Sequence, residues 1–417
     1  MVASTDIKYY LFTNTGAPQL SNNFGCMIDV LDACLVNGFG SQTVSTLTAS
    51  GTIVTATFGS AHNFMQYQVI KIAGATQTEY NGEFRILTVP NANSITFQLA
   101  APSVTTATGT IICSLPSLGW LKPFNGTGKA AYRSSNTLLP SRPYLRVVDA
   151  LDAAYTSTYA KYAKVGIVED MTGIDTLLGV QAPYDSASPD KNWIGSGSGT
   201  TGINGWARWY YAANGPVSGG LINSQTPAAG NRQWILVGNS DYFYILPTST
   251  VPSATINTQH ASAYGFGAFK SLLNADNSCT FLQSHLTLSN NGASVNVNFG
   301  LVSSSASSSL LLLRDYAQSA NYKTANCLSL NSDTAGSGVN NVIGASTLTN
   351  TAPFAPVFIK EDATNVLRGQ LKNIFWLFQQ KPYSNFQLIE KDSSLYIAAF
   401  IASTSNLGQI VLKIGDL

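Results

Sequence analysis

Short stretches of alternating apolar and polar residues fill much of the first third of the chain, a pattern typical of β-strands with one buried face. Four such stretches follow one another, at residues 52–58, 67–72, 83–89 and 94–99. Residues that favour turns separate them, namely Gly74, Asn81-Gly82 and the segment 90–93. Strands this regular and this close together predict a small self-contained barrel or sandwich.

Apolar segments in the second half predict a larger set of strands. Residues 234–246 form two runs about a Gly238-Asn239 turn, and residues 374–378 form a continuous apolar run, which predicts a strand covered on both faces. Residues 395–401 and 409–414 are further strands. The predicted fold class is therefore all-β, with a β-sandwich or barrel as the main domain and a smaller barrel-like unit.

One short helix is predicted near the N-terminus. Apolar residues between positions 27 and 36 recur at helical spacing, with Asp29 and Asp32 on another face. Asn37-Gly38 then ends the helix, since glycine readily adopts the left-handed conformation at a C-terminus. Two Gly/Ser-rich segments, 186–202 and 303–309, are predicted loops that are either mobile or ordered by a neighbouring subunit.

The composition supports a folded chain and excludes several classes of partner. Hydrophobic residues make up 45% of the 417 residues and charged residues 10%, whereas disordered chains combine low hydrophobicity with high charge. The formal net charge is +1 and basic residues are not clustered, so no nucleic-acid partner is expected. The apolar runs are too short to cross a bilayer and no signal peptide is visible, so no membrane insertion is expected.

Five cysteines, an odd number, are spread thinly along the chain: Cys26, Cys34, Cys113, Cys279 and Cys327. They predict free and mostly buried thiols rather than a disulfide framework, and no paired spacing suggests zinc. We therefore expect synthesis in a reducing cytoplasm. No cofactor and no metal are predicted.

A stretch within residues 62–97 is similar to a small all-β module that recurs in structural proteins of tailed phages. The module runs from a His-Gly or His-Asn turn through a V-I-I-G-A strand and a Y-N-G turn to a V-P…T-F segment. The matching parts of this chain are residues 62–70, 72–75, 80–82, 89–90 and 95–97. The Y-N-G turn implies a tight hairpin, because Asn-Gly readily adopts positive φ.

The segments that flank this module resemble a family of phage virion proteins in which they are almost contiguous. L-V-N-G-F-G at residues 35–40 precedes the module, and G-W-L-K-P-F with K-A-A-Y-R follows it at residues 119–124 and 129–133. Four later segments resemble the same family, at residues 144–149, 163–171, 233–246 and 366–372. In the last of them, Lys372 and Asn373 stand where the family has proline and glycine.

This resemblance implies a domain organisation and a class of function. Residues 44–114 would be an inserted small β domain. Residues 1–43, an N-terminal segment with the helix, would belong to the main β domain that continues over residues 115–417. The family implies a tail- or baseplate-type virion component, and it brings no catalytic residues with it.

Candidate catalytic groups are few. The three histidines, His62, His260 and His285, are far apart, and no nucleophile elbow or phosphate-binding loop is present. A pair of carboxylates could hydrolyse glycans, and the chain has three sets of neighbouring acidic residues: Asp149 with Asp152, Glu169 with Asp170 and Asp175, and Asp185 with Asp190. Twenty-one acidic residues in 417 produce such neighbours by chance, so we expect no enzyme.

An aromatic cluster in a predicted loop is the candidate binding site: Trp193, Trp206, Trp209, Tyr210 and Tyr211. Such rings could stack on the sugars of a host-surface glycan. The alternative, which we favour, is that they fill the core or a subunit interface.

The low charge of the chain favours a surface that associates readily, because few charges need to be desolvated. The first hypothesis is a non-enzymatic structural component of a tailed-phage virion, a homo-oligomer that also binds other phage virion proteins. The tail tip, baseplate or fibre-attachment region is its expected location. The alternatives are a receptor-binding protein for host glycans, a capsid decoration or head-fibre protein, and a glycoside hydrolase.

Overall fold

The computed structural model describes residues 3–198, 204–214, 221–252, 262–274, 276, 278–286, 294–295, 311–316, 322–328, 354–362, 364–377, 383–402 and 407–417. The all-β prediction is confirmed in these residues, together with a closed barrel and a short helix near the N-terminus. The helix α1 (Cys26–Leu31) continues into a π-helical turn, Asp32–Asn37, and a strand β1 (Lys8–Leu11) precedes it. His260 and residues 303–309 lie outside the described part of the chain.

Six antiparallel strands close the barrel in the order β2-β3-β6-β5-β4-β7. They are β2 (Phe39–Ser50), β3 (Ile53–Phe58), β4 (Val69–Ala75), β5 (Gly82–Asn91), β6 (Ser94–Gln98) and β7 (Gly109–Leu115). The four strands predicted between residues 52 and 99 are confirmed. The barrel begins at Phe39, which pairs with Leu115, so it is longer than the segment 44–114 predicted as an insertion. The division into domains stays a prediction.

Two glycines of the barrel do not form the turns that the sequence predicted. Gly74 lies inside β4 with φ +85°, where a Cβ would stand 2.1 Å from the carbonyl oxygen of Thr110 on the neighbouring strand. Asn81 is extended with φ −89°, and Gly82 begins β5, so Asn-Gly is not a tight hairpin. The Asn81 side-chain amide instead bonds both the N–H and the carbonyl of Ala75, at 2.9 and 2.8 Å.

A buried arginine bonds the barrel to the N-terminal segment and lies close to the C-terminal strand. The guanidinium of Arg85 donates to the carbonyl oxygens of Ser4, Tyr67 and Ile7, at 2.7, 2.7 and 3.0 Å. It also lies against Gly415, where a Cβ would be 2.4 Å from Nη2. Burial lowers the pKa of Arg85 to about 10, so it stays charged at neutral pH. These charge-assisted bonds hold the barrel firmly on the rest of the molecule.

A seven-stranded sheet follows the barrel. Its path is β20-β13-β11-β10-β9-β8, and β12 pairs with β11. Its strands are β8 (Leu121–Gly126), β9 (Lys129–Arg133), β10 (Tyr144–Val148), β11 (Lys161–Gly173), β12 (Thr176–Ala182), β13 (Ala207–Ala212) and β20 (His285–Leu286).

The largest sheet has thirteen strands, beginning with β1 in the order β1-β15-β16-β17-β19-β22-β23-β24-β25-β28-β27-β26, and β18 pairs with β25. These are β15 (Trp234–Gly238), β16 (Tyr242–Pro247), β17 (Tyr264–Ala268), β18 (Lys270–Ser271), β19 (Thr280–Gln283), β22 (Leu311–Arg314), β23 (Tyr322–Leu328), β24 (Phe354–Glu361), β25 (Leu367–Leu377), β26 (Leu388–Lys391), β27 (Ser394–Ala402) and β28 (Leu407–Asp416). A separate pair consists of β14 (Leu221–Ile222) and β21 (Ser294–Val295).

The hairpin β15–β16 is buried on both faces and divides two cores. Trp234 and Phe243 belong to the core shared with the barrel, the helix and the seven-stranded sheet. Ile235 and Tyr244 point the other way, into a core that the remaining strands of the large sheet share with β1. The seven-stranded sheet and the barrel therefore cover one face of this hairpin, and the remaining strands of the thirteen-stranded sheet cover the other.

In β25, Asn373 has φ +58° at the position where the resembled family has glycine. Asparagine tolerates this left-handed conformation better than most residues. Its side-chain amide donates to the hydroxyl of Tyr242 at 2.6 Å, which fixes it there.

Candidate functional site

The five aromatic residues of the predicted site are buried, and three of them lie on a strand instead of a loop. Trp209, Tyr210 and Tyr211 belong to β13, and each is fully buried. Trp193 and Trp206 are 6% and 5% exposed. Successive strand residues point to opposite faces, so Trp209 and Tyr211 enter the main core, whereas Trp206 and Tyr210 lie on the outer face of the sheet.

The polar atoms of the two inward-pointing rings are satisfied by the protein. Trp209 Nε1 donates to the carbonyl oxygen of Gln283 at 2.8 Å, and its ring stacks on Tyr264 with centroids 5.7 Å apart. The hydroxyl of Tyr211 donates to the carboxylate of Asp149 at 2.6 Å. None of the five rings presents a face to solvent on which a sugar could stack, and their burial matches the core alternative.

Asp149 connects this sheet to the helix. Its carboxylate also accepts the backbone N–H of Met27 at 2.9 Å, in the first turn of α1. Burial raises the pKa of Asp149 to about 6, against the opposing effect of the hydrogen bonds from Tyr211, Gly25, Met27 and Ile28. This carboxylate is therefore a structural link and is separate from Asp152.

The outer face of the seven-stranded sheet carries buried cationic side chains in adjacent strands. Lys164 pairs in register with Arg208, and Arg208 pairs with His285. The guanidinium of Arg208 donates to the carbonyl of Gly205 and to the hydroxyl of Tyr210, both at 2.9 Å. Burial, with the charge of Arg208, lowers the pKa of His285 to about 3, so this imidazole is neutral at physiological pH.

A buried ion pair fixes two loops on this face. Lys164 Nζ lies 2.7 Å from Asp152 Oδ2 and donates to the carbonyl of Trp193 at 2.5 Å. Asp152 in turn accepts the backbone N–H groups of Ala154 and Gly195, at 2.9 and 2.8 Å. Burial lowers the pKa of Lys164. The hydrogen bond from Lys164 lowers the pKa of Asp152, even though burial opposes this. The 2.7 Å separation of Lys164 Nζ and Asp152 Oδ2 is that of a direct ion pair.

Trp193 and Asn192 lie in the loop between β12 and β13 and hold it against the sheet by close contacts. The Arg146 guanidinium carbon lies 4.4 Å from the centroid of the Trp193 ring, which also lies on Gly166. A Cβ on Gly166 would stand 2.6 Å from the ring. Asn192 Nδ2 donates to the carbonyl of Val165 at 2.9 Å, and its Oδ1 accepts the N–H groups of Trp206 and Ala207. The part of the Gly/Ser-rich loop around residues 192–195 is thus fixed by its own chain.

Two large apolar side chains project from these pinned loops. Leu151 is 50% exposed and Ile194 is 62% exposed. Leu151 precedes Asp152 and Ile194 precedes Gly195, and the N–H of Gly195 donates to the Asp152 carboxylate. The exposed Asp190 belongs to the same turn, because its carbonyl oxygen accepts the N–H of Ile194 at 2.8 Å. We name Leu151, Asp190 and Ile194 the loop patch.

The other candidate catalytic groups have structural partners. His62 is buried in the barrel, where its Nδ1 accepts the N–H of Phe64 at 2.9 Å. Glu169 pairs with Arg314, Asp175 with Lys129 and Arg146, and Asp185 with Lys191. Asp170 Oδ1 accepts the N–H of Met171.

The five cysteines are free thiols, of which Cys34, Cys113 and Cys327 are buried, as predicted. Within the described ranges, no group of three or more His, Cys, Asp or Glu side chains is arranged to hold a metal ion. No helix in that part of the chain is long and apolar enough to span a membrane.

Comparison with known proteins gives a weak structural likeness. Neither the protein-family models nor the curated proteins contain a match to the sequence. Among solved structures, a chain described as "Phage phi92 endosialidase" matches with 8% identity and a TM-score of 0.16. The match covers 90% of this chain and 52% of that one, so this chain spans about half its length. A likeness at this level carries no argument about function.

Proposed function

We propose that this chain is a non-enzymatic structural component of a tailed-phage virion, which assembles with copies of itself and with neighbouring virion proteins. The tail tip, baseplate or fibre-attachment region is its proposed location. The observation that carries the assembly function is the loop patch, where large apolar side chains are held exposed on a rigid base.

The physical argument starts from the cost of exposure. Full burial of an exposed Leu or Ile side chain is worth about 1.5–3 kcal/mol. Leu151 and Ile194 are 50% and 62% exposed, so covering the remainder would contribute about half of that for each. The buried pair Lys164–Asp152 and the Asn192 bonds fix the loops beforehand. Because the loops are already ordered, a partner that covers the patch loses little conformational entropy on binding.

The position of the barrel supports a structural role, and the sequence resemblance supports the virion assignment. Arg85 bonds the barrel to the N-terminal segment at Ser4 and Ile7 and lies against Gly415, so the barrel has a fixed orientation that a neighbour can contact. The virion assignment is supported by the sequence resemblance of residues 35–40, 119–133 and the later segments.

Immunogold electron microscopy of purified phage particles, with antibody against the isolated chain, tests the proposal. We expect label at the tail end. Label over the head would instead assign the chain to capsid decoration or a head fibre. If mass spectrometry finds the chain absent from particles and no label binds, the virion proposal is wrong.

A further inference from the structure

The hydroxyl of Tyr211 lies between two hydrogen-bond acceptors. Its oxygen is 2.6 Å from Oδ1 of Asp149 and 3.0 Å from the backbone carbonyl oxygen of Asn23. A phenol has one hydrogen to donate, so only one of these two bonds can be complete at a time. Which bond forms depends on whether Asp149 carries a proton.

When Asp149 is ionised, its carboxylate is the better acceptor, because hydrogen bonds to a charged group are shorter and stronger than those to a neutral one. The 2.6 Å contact with Tyr211 has the length expected for a hydroxyl bound to a carboxylate. In this state the hydroxyl points away from Asn23, which is an exposed residue, and leaves its carbonyl oxygen to water.

When Oδ1 of Asp149 is protonated, it becomes a donor. It then donates to the oxygen of Tyr211, and the hydrogen of Tyr211 turns to the carbonyl oxygen of Asn23 at 3.0 Å. Oδ2 of Asp149 still accepts the N–H of Met27 at 2.9 Å. Both hydroxyl hydrogens therefore have acceptors, and the sheet gains a bond to the segment before the helix.

We propose that Asp149 and Tyr211 form a proton-operated latch for residues 21–25, the segment that leads into α1. Protonation of Asp149 closes the latch by turning the Tyr211 hydroxyl onto Asn23, and loss of the proton opens it. The latch goes beyond the proposed function, because it concerns how the chain responds to acid and does not depend on assembly.

The latch acts on the middle of a segment that is held at its two ends. At one end the carbonyl oxygen of Leu20 accepts a backbone N–H, and at the other the first turn of α1 is bonded to Asp149. Asn23 lies between these anchors. The bond from Tyr211 therefore ties the middle of the segment to β13, and we expect the segment to move more when that bond is absent.

The two titratable groups of the latch have the pKa order that it needs. Burial raises the pKa of Asp149 to about 6, so its charge changes in mildly acidic solution. Burial raises the pKa of Tyr211 well above its usual range, and the charge of Asp149 adds to this effect. The phenol therefore keeps its hydrogen in both states of Asp149, and only the direction of that hydrogen changes.

The other charged groups of this region have partners of their own. Lys122 pairs with Asp32 at 2.6 Å, and the guanidinium of Arg232 donates to the carbonyl oxygens of Gly230 and Ala228. The titratable and charged groups that face Asp149 or the side chains around it come from the helix, β9 and the segment before β15. They are Cys26, Asp29, Asp32, Tyr132 and Arg232.

The carbonyl carbon of Asn23 reports the state of the latch directly in a nuclear magnetic resonance titration. Labelling asparagine with ¹³C at the carbonyl and phenylalanine with ¹⁵N selects the Asn-Phe bonds at 23–24, 63–64, 298–299 and 385–386. The signal missing from Asn23→Asp identifies the first of them. In the wild-type full chain we expect this signal to move in one step with a midpoint near pH 6.

Two variants should fix the latch in opposite states. Asp149→Asn has an amide that donates to Tyr211 at every pH, so the latch stays closed, whereas Tyr211→Phe has no hydroxyl and stays open. The ¹⁵N order parameter of Phe24 should be about 0.85 at all pH values in Asp149→Asn and lower at all pH values in Tyr211→Phe. In the wild type it should fall as pH rises through the step.

Tyr244→Phe is the matched control, because its hydroxyl also donates to a backbone carbonyl, that of Lys372 at 2.9 Å. It should keep the wild-type step. A wild-type Asn23 signal that stays constant from about pH 5 to about pH 7 would overturn the inference, and so would a step that persists in Tyr211→Phe. Thermal melting checks that each variant is folded, and the wild-type titration decides the question even if one is not.

Discussion

The two faces of the seven-stranded sheet are built by the same strands and serve different purposes. In β11, Ala163, Val165 and Ile167 point into the main core, whereas Tyr162, Lys164 and Gly166 point outward under the loops. The inner face depends on filled volume, because its side chains belong to the main apolar core and the polar atoms of Trp209 and Tyr211 are hydrogen-bonded. The outer face depends on the ion pair between Lys164 and Asp152 and on the close approach of the Trp193 ring to Gly166. These contacts hold the two loops that cover this face. A sheet can therefore use one face for stability and the other to hold a contact surface.

The inner face should be the more sensitive of the two to loss of volume. Trp209→Ala leaves a cavity and removes the bond from Nε1 to Gln283, so we expect a loss of about 4 kcal/mol in the free energy of unfolding. Trp206→Ala on the outer face should cost less, because its Nε1 has no hydrogen-bond partner among the residues that the structure describes. Urea denaturation of both variants measures the difference. Equal losses would contradict the assignment of the two rings to different faces.

The outer face should be most sensitive to the loss of one charge. Lys164→Met leaves the carboxylate of Asp152 buried without its partner, which we expect to cost about 3 kcal/mol. The double variant Lys164→Met with Asp152→Asn should recover part of this loss, since no buried charge remains. A double-mutant cycle with chemical denaturation measures the coupling between the two residues, and a coupling near zero would show that the pair does not hold the loops.

Close approach on the outer face should make Gly166 intolerant of a methyl group. A Cβ there would stand 2.6 Å from the Trp193 ring, so Gly166→Ala must displace the ring from Arg146. We expect a loss of about 2 kcal/mol, as is typical for overpacking. Gly173→Ala is the control, because its nearest side-chain atom would be 3.4 Å away. Melting temperatures that fall equally in both variants would argue against the stacked position of Trp193.

A smaller effect is expected at Asp149, whose buried carboxylate joins Tyr211 on the inner face to the first turn of the helix. Its folded-state pKa of about 6 lies above the value of an unfolded aspartate, so the folded chain binds this proton more tightly. This contribution is fully present below about pH 4 and is lost as pH rises through about 6. When the pH is lowered from 7 to 5, the free energy of unfolding of the wild type should therefore rise by about 1 kcal/mol relative to that of Asp149→Asn. A pH series of denaturation curves for both proteins checks this, and parallel curves would contradict the raised pKa.

The sequence predicts the fold class well because most strands alternate apolar and polar residues, or form short continuous apolar runs. It fails for β13, where both faces are buried, so Trp209, Tyr210 and Tyr211 show no alternation. The Gly/Ser-rich residues before that strand then favoured a loop. Asn81-Gly82 is a similar case, since a side-chain amide bond to Ala75 replaces the hairpin that the dipeptide favours.

The candidate site could be predicted only in part, because its contacts depend on strand register. The sequence marks Asp152 as a carboxylate but does not reveal its partner, Lys164. The two meet only through the β10–β11 hairpin, because Asp152 lies in its connecting loop and Lys164 in β11. Leu151 and Ile194 have no distinctive sequence pattern. The sequence does contain one indication of this site. Polar Lys164 lies between apolar Ala163 and Val165 in a strand, which predicts that its side chain points to a second face with contacts of its own.

The oligomeric state of Ile194→Asp, compared with Ser196→Asp by multi-angle light scattering over a concentration series, tests most directly whether the loop patch is a subunit contact. We predict that the wild type and Ser196→Asp assemble, whereas Ile194→Asp is monomeric with an unchanged melting temperature, because an exposed substitution costs little stability. An Ile194→Asp chain that assembles like the wild type would contradict the proposed role of this surface.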